Sequence, residues 1–434
     1  MQAANSMCFA AQSTVTIEMF VPRSEFFSLP YHAVGREHCA APIGEMINII
    51  LPRVRIYHHS LWARYKGVIF SRIYADSQRS GISPAFIHVA ETSSSRVTLG
   101  GVDPSYHQYP YTLLVPGVYE LTPTHRLVFA MVGDLLKHRS ELVVLPGYHQ
   151  PEHWAMLLTC LLLGRKRAVW VDSTAFDSPK KNRFKEAAKR FFFRHCDGFF
   201  CYGIRSKEYV ESYGVDSSKI FYRCQAAALP RDYDAAQLRL YFQKLKMDPA
   251  APPRFIYIGR LSAEKGLCDL LDAFALVRKH LPTAVLDIVG SGLIERELKD
   301  HASRMSIASV VEFLGAKRTE EIGQLLIRSS AMVLPSRSEP WGLVVNEALS
   351  YGCPVVVSDI CGCVPELVLE GVTGYTYPSG DVRALSAAMI SAAELSRDRA
   401  AVATRCLDVI GQYTADRAAL EILSGFVHIL KSAG

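Results

Sequence analysis

Two glutamates stand eight positions apart in the stretch SRSEPWGLVVNEALSYG, residues 336–352: Glu339 precedes a Pro-Trp-Gly turn and Glu347 follows it. Proline suits a turn or the first position of a helix, and glycine lets a backbone approach a ligand closely. The apolar residues that follow, Leu343, Val344, Val345, Ala348 and Leu349, are spaced for a helix with one buried stripe. Glu339 is therefore expected in the loop before a helix N-terminus and Glu347 inside the helix. Free N–H groups at such an end attract anions. An anion hole flanked by two carboxylates suits a ligand that combines phosphates with hydroxyls.

Other stretches offer matching chemistry. In GRLSAEKG, Arg260 and Lys265 could bring two positive charges to a diphosphate, with Gly259 and Gly266 giving the loop freedom. An ordinary solvated loop with two basic residues reads the same way. The turn IVGSG places Gly290 and Gly292 at a strand end but lacks the G-x-G-x-x-G spacing of a dinucleotide site. Cys361 and Cys363 form a lone C-x-C pair, which is no zinc signature without a second pair. The stretch HQPEH, residues 149–153, matches an inverted zinc-peptidase pattern, yet Pro151 should break the helix that would bring His149 and His153 to one metal. Asp232-Tyr233-Asp234 has the form of a metal-binding D-x-D but falls in a solvated connection. No metal and no cofactor are expected.

These residues must be held by elements the pattern also shows. Short apolar strands alternate with helical stretches from Met46 to about Cys224, and again from Arg254 through RFIYIGR, AVLDIVG, VVEFLG, AMVLPS and PVVVSD. Strands apolar on both faces and separated by helices indicate parallel sheets covered on both sides. The fold class expected is α/β, with two Rossmann-like domains facing a cleft: residues 46–230, a linker at 231–253, residues 254–410, and a closing helix at 411–434. Residues 1–45 form an extension, or the natural start lies at Met46.

Composition narrows the functions. With 49% hydrophobic and 21% charged residues the chain is that of a globular protein. A formal charge of +6 permits attraction to phosphates or an acidic membrane face without calling for nucleic acid. Eleven cysteines at irregular spacings, and no basic leader followed by an apolar core, point to free thiols in a reducing compartment. The longest apolar run, AMLLTCLLLG at 155–164, has half of the ~20 residues needed to span a bilayer and reads as a buried helix.

Taken together, GR-x4-KG, IVGSG, SEPWGLVVNEALSYGCPVVVSD and GVTGYTYPSGD resemble the donor domain of the retaining family-4 glycosyltransferases, with Glu339 to Glu347 as its Glu-x7-Glu motif. The similarity runs from Arg254 to Asp381. It implies the GT-B architecture and a nucleoside diphosphate sugar donor, UDP- or GDP-linked. It further implies that Arg260 and Lys265 neutralise the diphosphate, that Glu339 faces the sugar hydroxyls and that Glu347 holds the ribose. Gly342, Leu343 and Val344 would offer backbone amides, and Lys317 and Arg318 lie where the base is chosen. The first half departs from the family. Where a glycine-rich loop is usual, YHHSLWARYKG keeps only Gly67. Where a histidine is usual, WVDSTAFD has Asp172, Ser173 or Thr174. His59 and His149 remain acceptor-side candidates.

The segment PKKNRFKEAAKRFFFR, 179–194, sets seven Lys and Arg residues against Glu186, with Phe184, Phe191 and Phe192 among them. Such a helix suits an anionic membrane surface, or packs its aromatic side on the sheet with its lysines in water. The sequence thus reads as a metal-independent, retaining hexosyltransferase, cytoplasmic and peripheral on the inner face of the membrane, acting on a carbohydrate or lipid-linked acceptor. A sugar-nucleotide epimerase or hydrolase of the same architecture, or a non-catalytic nucleotide-sugar binding module, are the alternatives.

Overall fold

The computed structural model describes residues 51–94, 96–97, 100–177, 182–245 and 251–432. The extension 1–45, Lys180, Lys181 and the first residues of the proline-rich connection lie outside this set. The first half contains β1 (Arg53–Ser60), α1 (Arg64–Asp76), β2 (Ser83–Thr92), β3 (Tyr111–Val118), α2 (Thr124–Lys137), β4 (Leu142–Leu145) and α3 (Pro151–Leu162). It continues with β5 (Lys166–Val171), α4 (Arg183–Arg194), β6 (Gly198–Cys201), α5 (Ile204–Glu211) and β7 (Ile220–Phe221). Helix α6 (Ala235–Lys244) follows. The second half holds β8 (Arg254–Ile258), α7 (Leu267–His280), β9 (Val285–Val289), α8 (Glu295–Arg304), β10 (Val311–Gly315), α9 (Thr319–Arg328) and β11 (Ala331–Leu334). It closes with α10 (Leu343–Ser350), β12 (Val355–Ser358), α11 (Val364–Leu367), β13 (Gly374–Tyr377), α12 (Val382–Leu395), α13 (Arg399–Ile410) and α14 (Ala415–Lys431).

All strand pairs are parallel, in the orders β3-β2-β1-β4-β5-β6-β7 and β10-β9-β8-β11-β12-β13. The central strands LVVL, AMVL and VVVS are buried along their whole length, as strands covered on both faces must be. The strand order of each sheet reverses once, between β1 and β4 and between β8 and β11, and ligands of such sheets bind outside the strand ends at that point.

The last helix leaves the second half. Its stripe Ala418, Ala419, Ile422, Leu423, Phe426 and Ile429 joins the core on one face of the first sheet, beside Val54, Ile56, Ile69, Phe70 and Phe200. Lys166 Nζ donates to the carbonyls of Ile429 (2.7 Å) and Leu430 (3.3 Å), placing a cation at the negative end of the helix dipole. The opposite face of the sheet is covered by α2, α3 and α4. The helix expected at 155–164 is α3, which is buried on one face: Met156, Leu157 and Cys160 face the core, while Leu158 and Leu162 face outward.

Candidate active site

Strands β8 and β11 flank the reversal of the second sheet, and the loops after them carry Lys265 and Glu339. Lys265 ends a short turn, Ala263–Lys265, that leads into α7. Its Nζ donates to Glu339 Oε2 at 2.5 Å, both side chains being largely buried. Arg260, half-exposed on the same loop, pairs with Glu264 at 3.4 Å. Two cations and two carboxylates therefore balance one another.

Amides are supplied by helix ends. Gly342 caps α10 with φ +97°, a left-handed conformation that strains any L side chain, and the amides of Leu343 and Val344 lie in the first turn that follows. The turn after β9 closes tightly on the loop after β8: a Cβ on Gly290 would stand 1.8 Å from the Gly259 carbonyl, and one on Gly292 2.1 Å from that of Leu261. The glycines of IVGSG thus pack one strand-end loop on the next.

Glu339 is held by its backbone as well. Its carbonyl accepts from Gly362 N at 3.0 Å, and the Trp341 carbonyl from Cys363 N at 3.1 Å, so the loops after β11 and β12 are tied together. Trp341 is buried, donates to Asn346 Oδ1 at 2.8 Å and packs on Gly203 of the first half. The Pro-Trp-Gly turn thus anchors the halves to each other. Glu366 adds to this join by accepting from Ile204 N at 2.8 Å, and burial raises its pKa. Cys361 and Cys363 are both buried, and Asp234 of the D-x-D stretch caps α6 through Ala236 N and Gln237 N. Among the described residues no group of three or more His, Cys, Asp or Glu is placed to hold a metal.

Glu347 lies on the cleft side of α10, where loss of water pushes its pKa up to about 7 and Arg64 of the first half pulls the other way. Arg64 opens α1, stacks over Trp62 and Tyr106, and reaches Thr319 Oγ1 at 3.4 Å across the cleft. Lys317 and Arg318 stand beside that contact and pair with Glu321.

The first sheet ends in a cluster of histidines and carboxylates. His149 Nε2 meets Ser173 Oγ at 3.3 Å, and its pKa is lowered by burial against an opposing pull from Asp172. Asp172 is exposed at the end of β5, and Asp177 in the same loop feels Glu339 across the cleft, its pKa raised chiefly by burial. His59 pairs with His153, Nε2 to Nε2 at 3.2 Å, and burial lowers both pKa values. Since Gln150 N donates to His153 Nδ1 at 3.4 Å, the neutral His153 carries its proton on Nε2 and gives it to His59, whose own proton is thereby assigned to Nδ1. His149 stands outside α3, which starts at Pro151, so the break expected within HQPEH is present.

Gly67 is a correction. It lies buried within α1, where a Cβ would stand 2.8 Å from the Tyr106 carbonyl. It makes room for a neighbouring turn. Arg64 went unnamed because its partner Thr319 comes from a distant segment, and Asp177 accepts from Thr174 N in its own loop. Only Asp177 had a local signal, five positions past Asp172 in one strand-end loop.

Two doubly wound parallel halves of this kind define the GT-B fold of glycosyltransferases. Residues 243–405 match the family model of glycosyl transferases group 1. The chain is 32% identical over 211 residues to glycogen synthase of Mycobacterium tuberculosis, a match covering 48% of this chain and 49% of that protein. To the amylovoran biosynthesis glycosyltransferase AmsK of Erwinia amylovora it is 30% identical over 145 residues, 32% of this chain and 35% of the relative. The chain thus spans half or less of the length of these relatives. HepE of Anabaena, solved with UDP and glucose, superposes with a TM-score of 0.64 at 18% identity, over 86% of this chain and 99% of that one.

Proposed function

We propose that the protein is a retaining hexosyltransferase that moves a sugar from a nucleoside diphosphate donor to a carbohydrate acceptor. The observation that carries this reading is the Lys265–Glu339 pair at the reversal point of the second sheet, with the α10 amides beside it. Lys265 and Arg260 bind the diphosphate, and as the bond from sugar to phosphate breaks they stabilise the charge that grows on the leaving oxygen. Glu339 orients the sugar through its hydroxyls, and Glu347 holds the ribose. Gly259, Gly290 and Gly292 let the loops close on the phosphates. The acceptor enters from the first sheet, between His59, His149 and Asp172, and closure of the halves limits hydrolysis of the donor. The acceptor class that fits the basic helix α4 is a lipid-linked sugar at an anionic membrane surface.

Product analysis tests this. Incubation with UDP- and GDP-sugars and an oligosaccharide acceptor in excess EDTA should yield a glycoside with the donor's anomeric configuration. Activity that vanishes on chelation, or a converted donor with no glycoside, would defeat the reading.

The raised pKa of Glu347 gives a pH dependence with a defined sign. Below pH 7 the side chain is mostly protonated, and it must lose that proton to accept two ribose hydroxyls. Donor affinity is therefore expected to fall as pH drops from about 8 to about 6, by at most about tenfold per pH unit. Glu347→Gln should bind weakly and flatten the slope. Calorimetric titration at the two pH values checks both; affinity that rises toward acid would refute the ribose assignment.

A further inference from the structure

Helix α3 carries the longest apolar run of the chain, yet Leu162 is 88% exposed and Leu158, one turn earlier, also faces out. Its neighbours do the same. On α2, Phe129 is 75% and Leu136 61% exposed, and on α4 Phe184 is 88% exposed with Phe191 beside it. The three helices cover one face of the first sheet, and their inward residues Leu127, Met131, Met156, Leu157, Phe192 and Phe193 share one core. Phe191 stacks on Trp154 of α3 at 6.2 Å and 15°, and α2 lies against α3, so the outward side chains form one surface. A folded chain seldom shows water an apolar surface of this extent unless something covers it.

The charge around this surface says what covers it. Helix α4 carries Arg183, Lys185, Lys189, Arg190 and Arg194 against the single acid Glu186, which Lys189 and Tyr213 hold at 3.4 and 2.6 Å. Arg190 and Arg194 also line, with Lys219, a cavity of about 440 Å³ whose one acid, Asp216, is engaged in capping its own turn through Ser218 N. A second copy of the chain would set these cations against each other. A bilayer with anionic head groups takes both the cations and the apolar side chains.

We propose that the outer face of α2, α3 and α4 docks on an anionic bilayer, with Phe184, Leu162, Leu158 and Phe129 entering between head groups and the Arg190–Arg194–Lys219 cavity taking a lipid phosphate. The inference deepens the proposed function: α4 begins just past the loop that follows β5, so docking sets the acceptor end of the cleft against the leaflet, where the sugar of a lipid-linked acceptor stands. Among the described residues no helix is long and apolar enough to cross a membrane, so this face attaches without spanning.

Flotation of the full chain with phosphatidylcholine vesicles, with and without phosphatidylglycerol, is the test, at low salt. The wild type should float with the anionic vesicles only. Arg190→Gln and Arg194→Gln should each weaken binding about fivefold. Phe184→Ser and Leu162→Ser, which alter exposed side chains, should lower it by about tenfold or more. Nucleotide-dependent thermal stabilisation, measured on the same samples, should be unchanged. No flotation with that stabilisation intact would overturn the docking and leave the transferase reading standing. A solution dimer dispersed by Leu162→Ser would overturn it too, and would give the face to a second copy.

Discussion

Glu339→Gln is expected to lower transfer by about 10²- to 10³-fold while the protein binds the free nucleoside diphosphate at least as tightly as before. The two effects come from one contact. Glu339 holds Lys265 at 2.5 Å, and on the proposed reading this pair opens when the cation meets the donor. The amide keeps a hydrogen bond to Lys265 but releases its charge, which favours the diphosphate. It cannot accept sugar hydroxyls as a carboxylate does, so the transition state loses its partner. Glu339→Ala should also abolish transfer; because it leaves a largely buried ammonium unpaired, the glutamine variant is the cleaner one. Steady-state kinetics with nucleotide titration measures both, and wild-type turnover in Glu339→Gln would remove Glu339 from the reaction.

Lys265→Ala is expected to lose donor binding and transfer together, by about 10²-fold or more in kcat/KM. Removing the ammonium leaves the Glu339 carboxylate facing the diphosphate, so attraction becomes repulsion. Arg260, half-exposed and paired to Glu264, is too loosely held to compensate. Lys265→Arg should restore only part of the loss, because a planar fork does not fit where a compact charge sits. The double variant Lys265→Ala/Glu339→Gln should bind nucleotide better than Lys265→Ala alone, since residues in contact do not contribute independently. If Lys265→Ala binds nucleotide like the wild type, the diphosphate lies elsewhere.

The parts of this site that were legible in the sequence are those written in one local stretch. Glu339 and Glu347 flank a helix start, Gly342 caps it, and the buried strand AMVL directly precedes it, so spacing alone implied the arrangement. Central strands were legible because both faces are apolar. Strands at the sheet edges leave a weaker trace. Tyr111–Val118 contains Pro116 and Gly117, is largely uncovered, and is tolerated as a strand because it needs only one partner. At the opposite edges β7 has just two residues and β13 four, too few for periodicity to register. The first-half site was hidden for a different reason. His59 is defined by His153 and Arg64 by Thr319, each joined across a gap in sequence that no local pattern encodes. The apolar run of α3 marked a helix, but hydrophobicity alone did not tell which of its side chains face the core.

Thermal unfolding with UDP, GDP, ADP and their common sugars bears most directly on the claim that Lys265 and Glu339 hold a nucleoside diphosphate sugar. A nucleotide at about 100 times its dissociation constant should add roughly 2.7 kcal/mol to the stability of the fold. The account predicts stabilisation by one of these nucleotides, absent in Lys265→Ala and preserved in Glu339→Gln. No shift with any of them, or an equal shift in Lys265→Ala, would contradict it.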